Sequence, residues 1–129
     1  MKNLLVFVLL LALLTGCQSQ PAYTDNGNPG QIKAIVFYDD NKNGTMDSGE
    51  TGAQIKMDIS QDISCPASSM DKLTIVNADP NGIALFMDLK PGKYCVGPTE
   101  SISMTTKMTL DVYVSSDAIT TVMFGIVRE

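Results

Sequence analysis

The chain has no histidine and no tryptophan, and aromatic residues make up only 6% of it. The missing histidine removes Ser–His and Cys–His nucleophile pairs and the usual zinc sites. The pattern G-x-S-x-G and the phosphate-binding glycine loop are also absent. With no tryptophan, there is little to stack against a sugar ring. Basic residues are scarce: 9 Lys and Arg stand against 14 Asp and Glu, a formal net charge of −5. They form no cluster, which argues against a nucleic-acid partner. No stretch keeps a helical period. Neither an enzyme nor a small-molecule substrate is expected. A structural or binding domain is.

Only one long apolar run is present. Lys2 precedes it, and Leu4 to Leu14 are all apolar. A membrane-spanning helix needs about 20 such residues. This run is shorter and reads as the core of an export signal. It ends in Leu14-Thr15-Gly16-Cys17. That ending resembles the lipobox of bacterial lipoproteins; an ordinary secretory signal with an incidental cysteine is the other reading. The resemblance implies cleavage before Cys17 and acyl chains, palmitate among them, on that cysteine. More than one chain gives stable anchoring. Gln18 then favours the outer membrane, if the cell has one. Residues 1–16 are the expected signal peptide, and 17–31 a lipidated cysteine and flexible tether. Residues 32–129 are the expected domain. A tether of this length spans roughly 20 Å root-mean-square. The mature chain is large enough for one core.

Alternation dominates the remainder. Ile32, Ala34 and Val36 alternate with Lys33, Ile35 and Phe37. Ile55, Met57 and Ile59 alternate with Gln54, Lys56 and Asp58. Further strands are expected at Leu73 to Asn77, Ile83 to Leu89, around Tyr94 and Val96, at Met104 to Val114, and at Thr120 to Val127. Turn chemistry falls at Asp79-Pro80-Asn81-Gly82 and Pro91-Gly92. Seven short strands without helices imply a β-sandwich. Met57, Met104, Met108 and Met123 are expected to fill its core.

Residues 39–50 carry the chemistry. Asp39-Asp40-Asn41-Lys42-Asn43-Gly44, then Glu50, fit D-x-[DN]-x-[DN]-G-x₅-E without a mismatch. Alternate positions of a tight loop point inward, so Asp39, Asn41 and Asn43 can share one centre. Gly44 permits the sharp turn, and Thr45 offers a backbone carbonyl. Asp47 acts directly or through water, and Glu50 closes the shell with two oxygens. Such hard oxygen donors suit calcium. A solvated acidic turn is the plainer alternative. In an ordinary EF-hand, helices flank the loop; here strands do.

Val36-Phe37-Tyr38-Asp39 through Glu50-Thr51-Gly52 resembles the opening of the SdrD B-like repeat domains of bacterial surface proteins. Asp79 to Val96, with Phe86, Leu89, Pro91-Gly92 and Tyr94, is similar to their second signature, which recurs in Cna B-type domains. The resemblance implies a prealbumin-like, seven-stranded Greek-key sandwich. It places calcium in the first connecting loop, on Asp39, Asn41, Asn43, Asp47 and Glu50. Some Cna B-type domains form a Lys–Asn isopeptide bond. Lys33 lies in the first strand, but the last strand has no Asn or Asp to receive it. A transthyretin-like hydrolase is excluded, since its activity uses histidine.

Cys65 and Cys95 remain once Cys17 carries lipid. An exported location permits a disulfide between them; two unpaired, partly buried thiols are the other reading. Two roles are expected. One is a calcium-stabilised presentation domain in the cell envelope, held to the membrane through Cys17. The other is a module binding a protein partner there, as an adhesin, assembly factor or accessory subunit.

Overall fold

The computed structural model describes residues 23–66 and 74–129. The expected signal peptide, Cys17 and Leu73 lie outside them. The described residues form seven strands and no helix, so no helix among them is long and apolar enough to cross a membrane. The strands are β1 (Gly30–Tyr38), β2 (Lys56–Gln61), β3 (Thr74–Asn77), β4 (Ile83–Leu89), β5 (Gly92–Pro98), β6 (Leu110–Val114) and β7 (Ile119–Ile126). They make two sheets, ordered β4-β1-β7 and β3-β2-β5-β6. All pairs are antiparallel except β1 with β7.

Period-two alternation explains the packing. Ile32, Ala34 and Val36 of β1 are fully buried, as are Ala84 of β4 and Phe124 of β7. They meet Met57 and Ile59 of β2 and Tyr94 and Val96 of β5 in one core. The buried Tyr94 hydroxyl donates to the Lys90 carbonyl at 2.8 Å, which satisfies its polar end. At the corner between β3 and β4, Gly82 has φ +78°, and a Cβ there would overlap the Val36 carbonyl oxygen. Only glycine lets this turn lie against β1. In return, the Val36 amide donates to Gly82 O at 2.7 Å.

Two expectations are corrected. The strand read as Met104 to Val114 is regular only over Leu110–Val114. Its first part instead pairs with the other sheet. Met104 bridges Ile126, the Thr105 amide donates to Gly125 O and the Val127 amide to Ser103 O, both at 2.9 Å. The chain then crosses to β5, passing over Gly97, where a Cβ would press on the Met108 carbonyl and the Thr109 side chain. The alternation from 104 to 114 was therefore split between two sheets. The second correction concerns methionine. Met57 is buried and Met104 packs against the core, but Met108 is 39% and Met123 44% exposed.

The first strand starts at Gly30, two residues before the expected boundary. Tyr23 to Pro29, expected within the flexible tether, lies on the β6–β7 turn. Thr24 accepts from the Ser116 amide at 2.8 Å, and Asn26 and Asn28 both donate to Asp117 at 3.0 Å.

Candidate metal centre

Loop 39–50 leaves the end of β1 and is closed behind itself. The Tyr38 amide donates to Thr51 O and the Ala53 amide to Val36 O, both at 2.9 Å, and Phe37 bridges Gly52. A Cβ on Gly52 would overlap the Asn81 backbone, so this short return stem fits only as glycine. Three residues bend the loop through positive φ: Lys42 at 59°, Gly44 at 79° and Gly49 at 96°.

Asp39 is 1% exposed although it begins an exposed loop. Its carboxylate accepts the Asn43 amide at 3.1 Å and the Gly44 amide at 2.8 Å. Thr105, far along the chain, lies against it, and a Cβ on Gly125 would crowd both. Burial alone raises the carboxyl pKa. The Thr105 hydroxyl and the amides of Gly44, Asn43 and Lys42 outweigh it and hold Asp39 below its ordinary value. The group therefore stays charged inside the fold.

The other expected donors ring the same loop. Asn41 and Asn43 each send their side-chain NH₂ to Asp47 Oδ2, at 2.7 and 2.6 Å. Their carbonyl oxygens accept the amides of Asn43 at 3.0 Å and Thr45 at 2.8 Å. Glu50 turns back over the loop and accepts the amides of Asp40 at 3.0 Å and Asp47 at 2.8 Å. The loop thus brings Asp39, Asn41, Asn43, Thr45, Asp47 and Glu50 together in one hydrogen-bonded knot. Among the described residues, no three carboxylate or thiol side chains group closely enough to hold a metal unaided. A cation here would need the neutral oxygens as well. These fit that demand chemically. The oxygens of Asp39, Asn41 and Glu50 each keep a lone pair beyond the one amide bond named, and Asp47 keeps Oδ1, whereas Asp47 Oδ2 and Asn43 Oδ1 already accept two bonds each; every donor is a hard oxygen. Asp47 and Glu50 would have to exchange amide partners for the ion.

Sequence reading missed two parts of this site. One is Thr105. The other is Arg128, whose Nε donates to Asp40 at 3.3 Å and whose Nη2 donates to Thr51 at 3.2 Å, with its guanidinium 4.3 Å from the centre of the Tyr38 ring. It ties the two ends of the loop to the last residues of the chain. No local pattern points to either residue, because Thr105 reaches the loop through the pairing of 103–105 with the end of β7, and Arg128 through the parallel pairing of β7 with β1.

Cys65 and Cys95 are joined as a disulfide, with Cα atoms 5.2 Å apart. Cys95 stands opposite Ser60 on the face of β5 turned away from Tyr94 and Val96. Lys93 supports the junction with an ion pair to Asp111 at 3.5 Å. Lys33 lies beside Thr121 of β7 and Leu85 of β4, with no carboxamide across from it in either register.

No family model matches the chain, and no curated protein matches its sequence. Solved structures resemble its fold. The minor pilin GBS52 of Streptococcus agalactiae superposes with a TM-score of 0.53 at 13% identity, over 79% of this chain and 46% of that one. The full-length major pilin SpaD of Corynebacterium diphtheriae gives 0.50 at 13% identity, over 83% of this chain and 34% of that one. The chain therefore spans less than half of either protein, and what it shares with them is the β-sandwich of a pilin domain.

Proposed function

We propose that this chain is an exported lipoprotein, acylated on Cys17, whose Greek-key, prealbumin-like sandwich is a non-enzymatic surface module stabilised by calcium in loop 39–50. The observation that carries the calcium reading is the loop itself. The side-chain oxygens of Asn41, Asn43, Asp47 and Glu50 sit in one knot with a buried, charged Asp39, and the stem behind it is locked to β1. Calcium would join the end of β1 to the path leading into β2 and relieve repulsion among Asp39, Asp40, Asp47 and Glu50. Extracellular calcium modules bind at about 10⁻⁴ to 10⁻³ M. The Greek-key reading is supported by a chain that changes sheets between β1 and β2, β3 and β4, β4 and β5, and β6 and β7. The anchor rests on the lipobox, and the outer membrane on Gln18.

Two measurements test the proposal. Calcium titration followed by NMR should shift the Asn43, Gly44 and Thr45 amides and leave β5 unchanged; shifts scattered over the domain, or none, defeat the calcium reading. The intact mass of the membrane-extracted protein should show acyl groups on a chain beginning at Cys17, and Cys17→Ser should release it to the soluble fraction.

One feature favours partner binding as a second reading. The outer face of sheet β4-β1-β7 exposes Leu85 at 38%, Met87 at 59%, Ile119 at 61% and Met123 at 44%. Lys33 and Thr121 lie across from Leu85 in the register, so these are separate apolar side chains sharing one face rather than a continuous patch, and such a face can serve as an interaction site. Pull-downs from envelope extracts with the native protein and with a Met87→Lys, Met123→Lys variant should differ in a reproducible partner.

A further inference from the structure

The strand directions give the molecule two poles. At one lie Gly30, the β4–β5 turn and the β6–β7 turn, because Gly30 pairs with Leu89 and Gly92 with Val114. At the other lie loop 39–50 and the Asp79–Gly82 turn, whose Gly82 accepts from Val36. The nine residues of β1 separate the poles, a distance of roughly 26 Å.

The segment ahead of β1 is fixed to the first pole by several independent contacts. Thr24 accepts from the Ser116 amide at 2.8 Å and donates its own amide to Ser115 Oγ at 3.1 Å. The Asn26 amide reaches Ser116 Oγ at 3.0 Å. Asp117 gathers the side chains of Asn26 and Asn28, each at 3.0 Å, and its own amide donates to Pro29 O at 3.1 Å. The Tyr23 ring stacks on Tyr113 of β6 with centroids 6.1 Å apart. Only five residues, 18–22, then stand between Cys17 and Tyr23, so the leash from the acylated cysteine is six residues, 17–22. Fully extended, they span at most about 20 Å.

We propose that this docked strap sets the domain upright on the bilayer, so that the β6–β7 pole meets the lipid headgroups and the acidic loop pole faces outward. The idea rests on acylation of Cys17. A 14-residue free tether would let the domain tumble and bring any face to the membrane. A leash of six residues attached at one pole keeps that pole within about 20 Å of the bilayer. Its start at Tyr23 lies on the face of β6 that carries Tyr113, in the four-stranded sheet, away from the apolar face of β4-β1-β7. That apolar face is thereby left lateral, and loop 39–50 open to the medium.

The test uses the membrane-extracted full-length product in phosphatidylcholine nanodiscs carrying a gadolinium-chelating lipid, read by amide NMR. The expected result is loss of the Thr24, Gly27, Ser116 and Ala118 signals, with Asn43, Gly44 and Gly82 retained. In an Asn26→Ala, Asp117→Ala variant, broadening should spread to both poles, with β1 and β5 shifts confirming that the fold is kept. Even broadening of both poles in the wild type, or broadening centred on Met87 and Met123, overturns the orientation while leaving the lipid reading intact. Absence of acyl mass on Cys17 overturns both, so the two failures are distinguishable.

Discussion

Single residues set the conformations that the strands cannot. Gly82 is the clearest: it needs positive φ and contact with the Val36 carbonyl at once. Gly82→Ala should therefore lower stability by about 2–4 kcal/mol, read from the midpoint of denaturant unfolding. A change below about 0.5 kcal/mol would mean that the turn does not bear on β1. Asp117 gives a pH dependence. Hydrogen bonds from Asn26, then Asn28, hold its carboxyl below the ordinary 3.8, against a smaller opposing effect of burial. A depressed folded-state pKa contributes stability that is present above the unfolded value and lost as pH falls through the folded one. Docking of Tyr23 to Pro29 should hold from neutrality to about pH 4 and loosen in stronger acid, with Asp117→Asn blunting that response. Amide exchange at Asn26 and Ser116 measures it; loosening that begins near neutrality contradicts it.

At the level of elements, alternation made β1 and β2 legible, since one face of each is buried and the period is two; β4 and β7 were legible from apolar runs bounded by turns. The turn before β4 and the Pro91-Gly92 turn were legible because φ demands particular residues there. The 104–114 stretch misled for a physical reason: a strand that changes sheets midway keeps its alternation but not its partner. The disulfide belongs to this scale too. It closes a 30-residue separation, which on the chain-entropy model contributes roughly 3.5 kcal/mol. Cys65→Ser with Cys95→Ser should lose about that amount in urea unfolding, with β1 and β7 amides keeping their native shifts. An unchanged midpoint would show that Lys93, Asp111 and Ser64 hold the junction alone.

For the whole molecule, the ligand pattern of the loop was legible because its residues are local in sequence. What completes the site, Thr105 beside Asp39 and Arg128 across Asp40 and Thr51, was not, since strand pairing brings those residues in from far along the chain. What the chain shares with the pilin structures is the β-sandwich scaffold. The central claim is that calcium in loop 39–50 stabilises the entire sandwich. Its most direct test is the melting temperature of the protein with calcium and with a chelator, beside Glu50→Gln. At ten times the dissociation constant, binding is worth about 1.4 kcal/mol, a rise of about 5–10 °C for a domain of this size. The expected result is that rise in the native protein and a much smaller one in Glu50→Gln; equal melting temperatures with calcium and with chelator would contradict it.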